Sequence, residues 1–307
     1  SMVHSGIDNI SIIVRKNYHS LLDHLGAGRE WDLVRKNGGL NIVPPFAQKQ
    51  VKVFEGRIEA LESLRGYLLK QPQKYVIMTD ANIAINFDFN ELLDAHIKSG
   101  ADVTMMYRKQ EIPKAFIRQS RDRMDLYYAL GMNGDRVSKI YINPTEEGEM
   151  NFSMNIYVVE REFLIRMIDD AYVHGHTYFV RDLLDKQIDR LDIRGFCYDG
   201  YVVNIHDTQS YFEENMRLLQ EENLNALFSP NQIYTKIREV ENSVLFRGVH
   251  VGKGAKVKNC VLMQDTVVED NASVEYVITD KNVRVTEGKS LTGNESYQVY
   301  VSKGQVV

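Results

Sequence analysis

The chain has 307 residues and a formal net charge of −5, from 37 Lys and Arg against 42 Asp and Glu. Hydrophobic residues make up 44% and charged residues 26%, which excludes a disordered, collagen-like or low-complexity chain. The mild acidic balance, with no basic block, argues against a nucleic-acid partner. Two cysteines, Cys197 and Cys260, form no CxxC pair, so neither a disulfide framework nor a zinc site is expected. They are expected as reduced thiols in a cytoplasmic protein. No apolar run is long enough to span a bilayer, so no membrane partner is expected. The opening Ser1-Met2-Val3-His4 has no signal-peptide character.

Short apolar runs alternate with helical patterns up to about residue 225, which predicts a parallel or mixed sheet flanked by helices. In chain order, a strand is predicted at Ile10 to Val14 and a helix at Tyr18 to His24. A short strand follows at Val51 to Phe54. A helical stripe then runs through Ile58, Leu61, Leu64, Leu68 and Leu69. The strand Tyr75 to Thr79 ends in the polar turn Asp80-Ala81-Asn82, at the kind of strand end where α/β sheets bind ligands. Phe89 to Ile97 is predicted helical and Asp102 to Tyr107 a strand. Lys109 to Leu126 is charged and predicted as a loop with a hairpin approach. Met150 to Val159 is a predicted strand. The following helix, Glu160 to Val173, is expected to turn Phe163, Leu164, Met167, Ile168 and Tyr172 inward. Tyr201 to Ile205 is a strand, and Asp207 is the expected N-cap of a helix from Thr208 to Glu222.

After residue 240 the period changes to six. Leu245, Val251, Val257 and Met263 are spaced by hexads, with small residues such as Ala255 four positions after an aliphatic one. After a one-residue slip, Val268, Ala272 and Val274 resume the pattern, as in a parallel β-helix whose interior takes the aliphatic side chains. A Val-rich antiparallel sheet is the competing arrangement.

Several segments carry a resemblance. His4-Ser5-Gly6-Ile7 before a strand resembles "NSGI". Glu30 to Leu40 with Val43-Pro44-Pro45 resembles the loop "WDLDRKxGGLxILPP". Phe152 to Tyr157 is similar to "ASMGIY", and Tyr201 to Met216 aligns without gaps to "YWxDVGTxxxYWxANM". On these motifs the chain resembles the ADP-glucose pyrophosphorylase (glucose-1-phosphate adenylyltransferase) family, most of all its GlgD-type subunits. The resemblance implies an α/β fold class. This is a nucleotidyltransferase Rossmann-like mixed sheet, here without its first Gly-rich segment, plus a C-terminal left-handed parallel β-helix. The implied domains are 1–225, a linker at 226–239, and the hexapeptide region 240–307.

The departures from the family pattern bear on chemistry. In the family, glucose 1-phosphate attacks the α-phosphorus of ATP and pyrophosphate leaves. Positioning and Mg2+ held by carboxylates supply the rate. The family's two metal-binding aspartates fall here on Asn82 and Asn204, so no catalytic or metal position is intact. Asp80, two residues from Asn82 and on the same face of the strand end, is a candidate substitute. The sugar-phosphate lysine of "EKP" falls on Asn143. The glycine of "GTADA" falls on Gly56 within Gly-Arg-Ile-Glu-Ala, and Ser153 keeps the serine of "ASMGIY". The aspartate of "HDFGKD" falls on Tyr178. Gly56, Asn143 and Ser153 are thus degenerate substrate-binding positions.

Each feature also has a plainer reading. Asn is common in turns. His174-Gly175-His176 lacks a third ligand in sequence reach and is expected as solvated surface. Asp207, beside His206, is expected to cap rather than to act in an acid–base pair. The cations Lys109, Lys114, Arg118, Arg121 and Arg123 could hold a sugar-phosphate effector or form a solvated face.

The resulting expectation is a non-catalytic or weakly catalytic regulatory subunit. It would join a catalytic ADP-glucose pyrophosphorylase paralogue in a heterotetramer for glycogen biosynthesis, with Mg2+ in the partner and no cofactor of its own. Three alternatives stand beside it. One is an active sugar-1-phosphate nucleotidyltransferase recruiting Asp80 or Asp182. Another is a hexapeptide acyltransferase with His250 as its only candidate base. The third is a purely structural assembly factor with no ligand.

Overall fold

The computed structural model describes residues 1–14, 18–35, 38–44, 56–113, 116, 126–228 and 240–307. The predicted strand at Val51 to Phe54, the cations Lys114, Arg118, Arg121 and Arg123, and most of the expected linker lie outside the described residues. The described residues form two compact units. The first comprises Ser1–Asp80, Phe87–Ile112 and 126–199; the second comprises Ala81–Asn86, Pro113, Phe116, 200–228 and 240–307. Residues 200–225 therefore group with the hexapeptide region rather than with the α/β sheet.

In the first unit, β1 (Asn9–Ile13) and β2 (Gly39–Val43) pair in parallel, with helix α1 (His19–Leu25) between them in sequence. The main sheet is built from β3 (Tyr75–Met78), β5 (Val103–Gln110), β6 (Tyr128–Asn133), β7 (Arg136–Ile142), β8 (Met150–Glu160) and β9 (Ile193–Cys197). Its order is β3-β8-β5-β9-β7-β6, with β5 and β9 parallel and the other neighbours antiparallel. Sequence analysis missed β9 and the β6–β7 hairpin. The hairpin does carry a local signal, the two-residue loop Gly134-Asp135, whose glycine takes φ 62°.

Helices α2 (Arg57–Ser63), α3 (Arg65–Leu68), α4 (Phe89–Ser99) and α5 (Arg161–Val173) belong to the same unit. The Asp88 side chain caps α4 by accepting the Asn90 N–H at 3.0 Å. Helix α5 buries Leu164, Ile165, Met167, Ile168 and Ala171. Tyr172, expected inward, is 63% exposed because the buried stripe ends on Ala171. Arg65 of α3 forks onto Asp169 of α5, its second bond at 2.8 Å, a bidentate geometry that fixes the two helices together.

In the second unit, β4 (Ile83–Ile85) pairs antiparallel with β10 (Val202–Asn204). Helix α6 (Thr208–Arg217) follows β10 and begins on a capping box. Asp207 accepts the Ser210 N–H, and Ser210 Oγ accepts the Asp207 N–H. The helix ends at Arg217, and a separate α7 (Glu221–Leu227) replaces the predicted continuation to Glu222.

From Val240 onward the strands are parallel and form three sheets. Val240, Val257, Val274 and Leu291 stack in one column at intervals of 17 residues. Leu245, Leu262, Thr279 and Val301 form a second column, and Val251, Val268 and Val285 a third. These parallel sheets are the arrangement of a β-helix, and the antiparallel alternative falls. The repeat is 17 rather than 18 because one side of each coil has five residues. Left-handed backbone at Asn242, Asn259 and Tyr276 (φ 44° to 52°) makes that corner. Met263, expected inside, therefore gives way to the fully buried Leu262. The last coil carries an insertion near residues 293–298, and Gln209 of α6 donates to the Glu295 carbonyl at 2.8 Å. Phe212, 4% exposed, presses α6 onto Val261 and Ile278.

Among the described residues no helix is long and apolar enough to cross a membrane.

Two outcomes follow from this packing. Phe212→Ala should cost about 3–5 kcal/mol in urea unfolding, as a large buried aromatic leaves a cavity. His96 is 2% exposed, with Nδ1 2.8 Å from Thr104 Oγ1 and its ring edge-on to Tyr75. Burial pushes its pKa below the ordinary 6.5. The folded state thus disfavours the proton that the unfolded chain accepts, so the His96 contribution is intact above pH 6.5 and fades as pH falls below it. Thermal melts at pH 7.5 and 5.5 should show a drop in Tm that His96→Gln reduces.

Candidate functional site

The β4–β10 ladder positions the two amides expected at the metal. Asn204 pairs with Ile83, and on the next rung the Ile205 N–H donates to the Asn82 carbonyl at 2.8 Å. The two residues, 122 apart in sequence, thus occupy neighbouring rungs of one ladder. The Asn82 amide Nδ2 lies 3.1 and 3.2 Å from Nδ1 and Nε2 of His206. The Phe116 ring sits against the same imidazole, the centroids 3.7 Å apart. The main-chain N–H of His206 donates to Ser210 Oγ at 2.9 Å, which ties this residue to the cap of α6.

Asn204 Oδ1 is buried and meets no hydrogen-bond donor among the described residues. Glu214, the carboxylate that accepts the Asn204 main-chain N–H, is already paired with Arg217 at 2.8 Å. Burial pushes the Glu214 pKa up, against the pull of Arg217.

The chemistry of this donor set decides whether it suits Mg2+. That ion demands an octahedron of hard oxygens, with one or two carboxylates among them. Here residues 82 and 204 offer neutral amides, the Asn82 amide nitrogen is bonded to His206, and the neighbouring acid is paired with Arg217. Among the described residues no three His, Cys, Asp or Glu side chains converge. The residues present do not fit Mg2+.

Asp80 belongs to the first unit and is engaged there. Arg57 forms an ion pair with its Oδ1, and Asn155 Nδ2 donates to its Oδ2 at 2.9 Å. Tyr157 OH donates to Asn155 Oδ1 at 2.8 Å, and the Arg57 guanidinium lies 5.2 Å over the Tyr157 ring. Burial pushes the Tyr157 hydroxyl up to about 12 despite the nearby Arg57. A bulge in β8 builds this network. Met106 of β5 faces Ile156 and Tyr107 faces Ser153, so Met154 and Asn155 are extra residues on β8. Asn155 takes φ 54°, a left-handed conformation that aims its side chain at Asp80. Arg57 Nη1 is buried and meets no acceptor among the described residues.

The remaining expected positions fall as follows. Ser153 is 3% exposed in β8, where its Oγ accepts the Asn155 N–H at 3.3 Å. Asn143, at φ 48°, closes a turn by donating its N–H to the Tyr127 carbonyl while its Oδ1 accepts the Tyr127 N–H, both at 2.9 Å. Gly56 precedes α2, where a Cβ would stand 2.2 Å from the Thr177 carbonyl oxygen. Asp182, the other candidate acid, accepts N–H groups of Thr177 and Tyr178 at 3.1 and 2.9 Å and pairs with Arg181 at 2.7 Å. Burial opposes its ionisation, and these partners overcome that and hold its carboxyl well below the usual carboxylate range. His174 Nδ1 lies 2.7 Å from the Asp170 carbonyl, and the ring is largely exposed. His250 stands exposed on a β-helix coil. A cleft of about 340 Å³ beside β2 and α3, lined by Asn41, Pro44, Tyr67 and Lys70, includes none of these residues.

Sequence reasoning passed over Arg57, Asn155 and the side chain of His206 as partners of the Asp80–Asn82 turn. A signal was available for two of them. The motif matches place Asn155 on the glycine of "ASMGIY" and His206 on the glycine of "WxDVGT". A side chain gained at a glycine is as telling as an acid lost.

Gly56→Ala should destabilise the first unit by about 1–3 kcal/mol in urea unfolding, because the carbonyl it meets is backbone and yields little.

Comparison with known proteins agrees with the geometry. The profile of the nucleotidyl transferase family matches residues 1–221, and that of the GlmU-like C-terminal hexapeptide matches residues 212–302. The chain is 27% identical to the glycogen biosynthesis protein GlgD of Bacillus subtilis (strain 168), covering 100% of this chain and 85% of that protein. It is 27% identical to the glucose-1-phosphate adenylyltransferase of Acetivibrio thermocellus, over 99% of this chain and 78% of the relative. Its identity to the Geobacillus stearothermophilus enzyme of the same name is 29%, over 83% and 72%. A mixed α/β sheet, a parallel-stranded hexapeptide region and an end-to-end likeness to these proteins lead to one assignment: the chain belongs to the nucleotidyl transferase family and is similar along its length to the glucose-1-phosphate adenylyltransferases and GlgD.

Proposed function

We propose that this chain is a non-catalytic or weakly catalytic regulatory subunit of ADP-glucose pyrophosphorylase in glycogen biosynthesis. It joins a catalytic paralogue in a heterotetramer in the cytoplasm, and Mg2+ resides in the partner. The left-handed sense expected for the β-helix belongs to the same reading. The observation that supports it most is the pair of neutral amides on adjacent rungs, Asn82 and Asn204, where the family pattern has acids. Two amides supply none of the negative field that a divalent ion and a departing pyrophosphate require.

The active-enzyme alternative needs Asp80 or Asp182 to take over. Both carboxylates are already committed, Asp80 to Arg57 and Asn155, and Asp182 to Arg181 and two main-chain N–H groups. In the regulatory role, the chain acts through a free-energy difference between assembled states of the partner. A sugar-phosphate effector could act through the same difference.

The test is pyrophosphate release from ATP and glucose 1-phosphate with Mg2+. The full-length chain alone should show no turnover above the blank. Mixed with the catalytic paralogue from the same genome, it should shift that enzyme's KM or effector response by about fivefold or more, the usual scale of allosteric coupling. Robust turnover by the chain alone overturns the proposal.

A further inference from the structure

Two side chains in this protein stand where the family motifs have glycine, and both reach the Asp80-Ala81-Asn82 turn. Asn155 bonds to Asp80 within the first unit. His206 bonds to Asn82 within the second. The second contact bears directly on the cation position.

We propose that His206 is an internal occupant of that position, so that the site is closed by a side chain as well as stripped of its charge. This deepens the reading of Asn82 and Asn204 as former metal positions and rests on it.

A cation held by an acid at residue 82 would sit about 2.0–2.2 Å from a side-chain oxygen and keep several waters around it. Asn82 Nδ2 stands in the place of one of that acid's two carboxylate oxygens, and both imidazole nitrogens lie within 3.2 Å of it. The Phe116 ring backs the imidazole at 3.7 Å between centroids, where a hydration shell would otherwise extend. The backbone from which the ring projects is held in place. The His206 N–H is bonded to Ser210 Oγ, and Ser210 is half of the box that starts α6. Glycine at this position would leave the backbone trace and remove the ring. The buried Asn204 Oδ1, with no donor among the described residues, is what an oxygen turned toward a lost cation would look like. A change of charge alone therefore does not rebuild the site. Acids at 82 and 204 would meet the imidazole before they met an ion.

Mn2+ binding by the full chain, followed by electron paramagnetic resonance of the free aquo ion, tests this. Three proteins are compared: the unchanged chain, Asn82→Asp with Asn204→Asp, and the same pair with His206→Gly. The double variant should bind Mn2+ no more tightly than the unchanged chain. The triple variant should bind roughly tenfold or more tightly than the double, the scale on which groups around a metal site alter its affinity. Circular dichroism melts check that each protein is folded. A triple variant with His206→Ala decides the case if glycine loosens the start of α6. If the double variant binds as tightly as the triple, occlusion by His206 is wrong while the assignment of the two amide positions stands. Loss of Mn2+ binding on removing His206 would instead make it a ligand, and that too overturns the proposal. A folded triple variant that binds no Mn2+ overturns the assignment of the positions as well.

Discussion

Three rungs of antiparallel backbone, Ile83–Ile85 against Val202–Asn204, hold the centre of this molecule's chemistry. They join stretches about 120 residues apart in sequence and set Asn82 and Asn204 on adjacent rungs. Both side chains are neutral amides, so the ladder sets no like charges on these rungs, and Val202 and Val203 are buried in it.

The first unit shows the same economy of polar groups. Arg57, Asp80, Asn155 and Tyr157 form a connected chain in which each member's charge or dipole is answered by the next. The network pairs the charge of Arg57 with that of Asp80, while Arg57 Nη1 stays buried without an acceptor among the described residues. The same bonds engage both oxygens of Asp80, one with Arg57 and one with Asn155. Asp182 is occupied in a similar way, and a wide π-type turn at Phe179–Leu184 folds its carboxylate back onto the preceding N–H groups. In both places the carboxylate is held by an arginine and by amide N–H groups of the chain itself.

The hexapeptide region supplies regularity. Each coil repeats its left-handed corners at the same points, so columns of mostly Val and Leu stack in the interior. Thr266 and Thr279, both fully buried, satisfy each other at 2.8 Å inside this apolar prism. Helix α6 lies on one of its sheets through Phe212, and α6 itself starts at the residues that follow Asn204. The rung that carries the amide and the coil that anchors the helix are thus parts of one unit.

Local features were open to the amino-acid sequence alone. The Asp88 and Asp207 caps, the apolar face of α5 and the alternation of strand and helix each depend on residues within a few positions of one another. The motif matches likewise located Asn82, Asn204 and Gly56 without any coordinates. Where sequence reasoning erred, the deciding contact was distant or one residue out of phase. Met263 yielded to Leu262 because a left-handed asparagine shortened the coil, and Tyr172 faced outward because Ala171 ended the buried stripe. Only the tertiary structure could show that Asn82 and Asn204 are neighbours, that Asp80 is bound to Arg57 and Asn155, and that His206 covers Asn82. Periodicity and capping are written over a turn or two of chain. Pairings between residues some 75 to 124 positions apart depend on how the whole chain closes, and no local pattern records them.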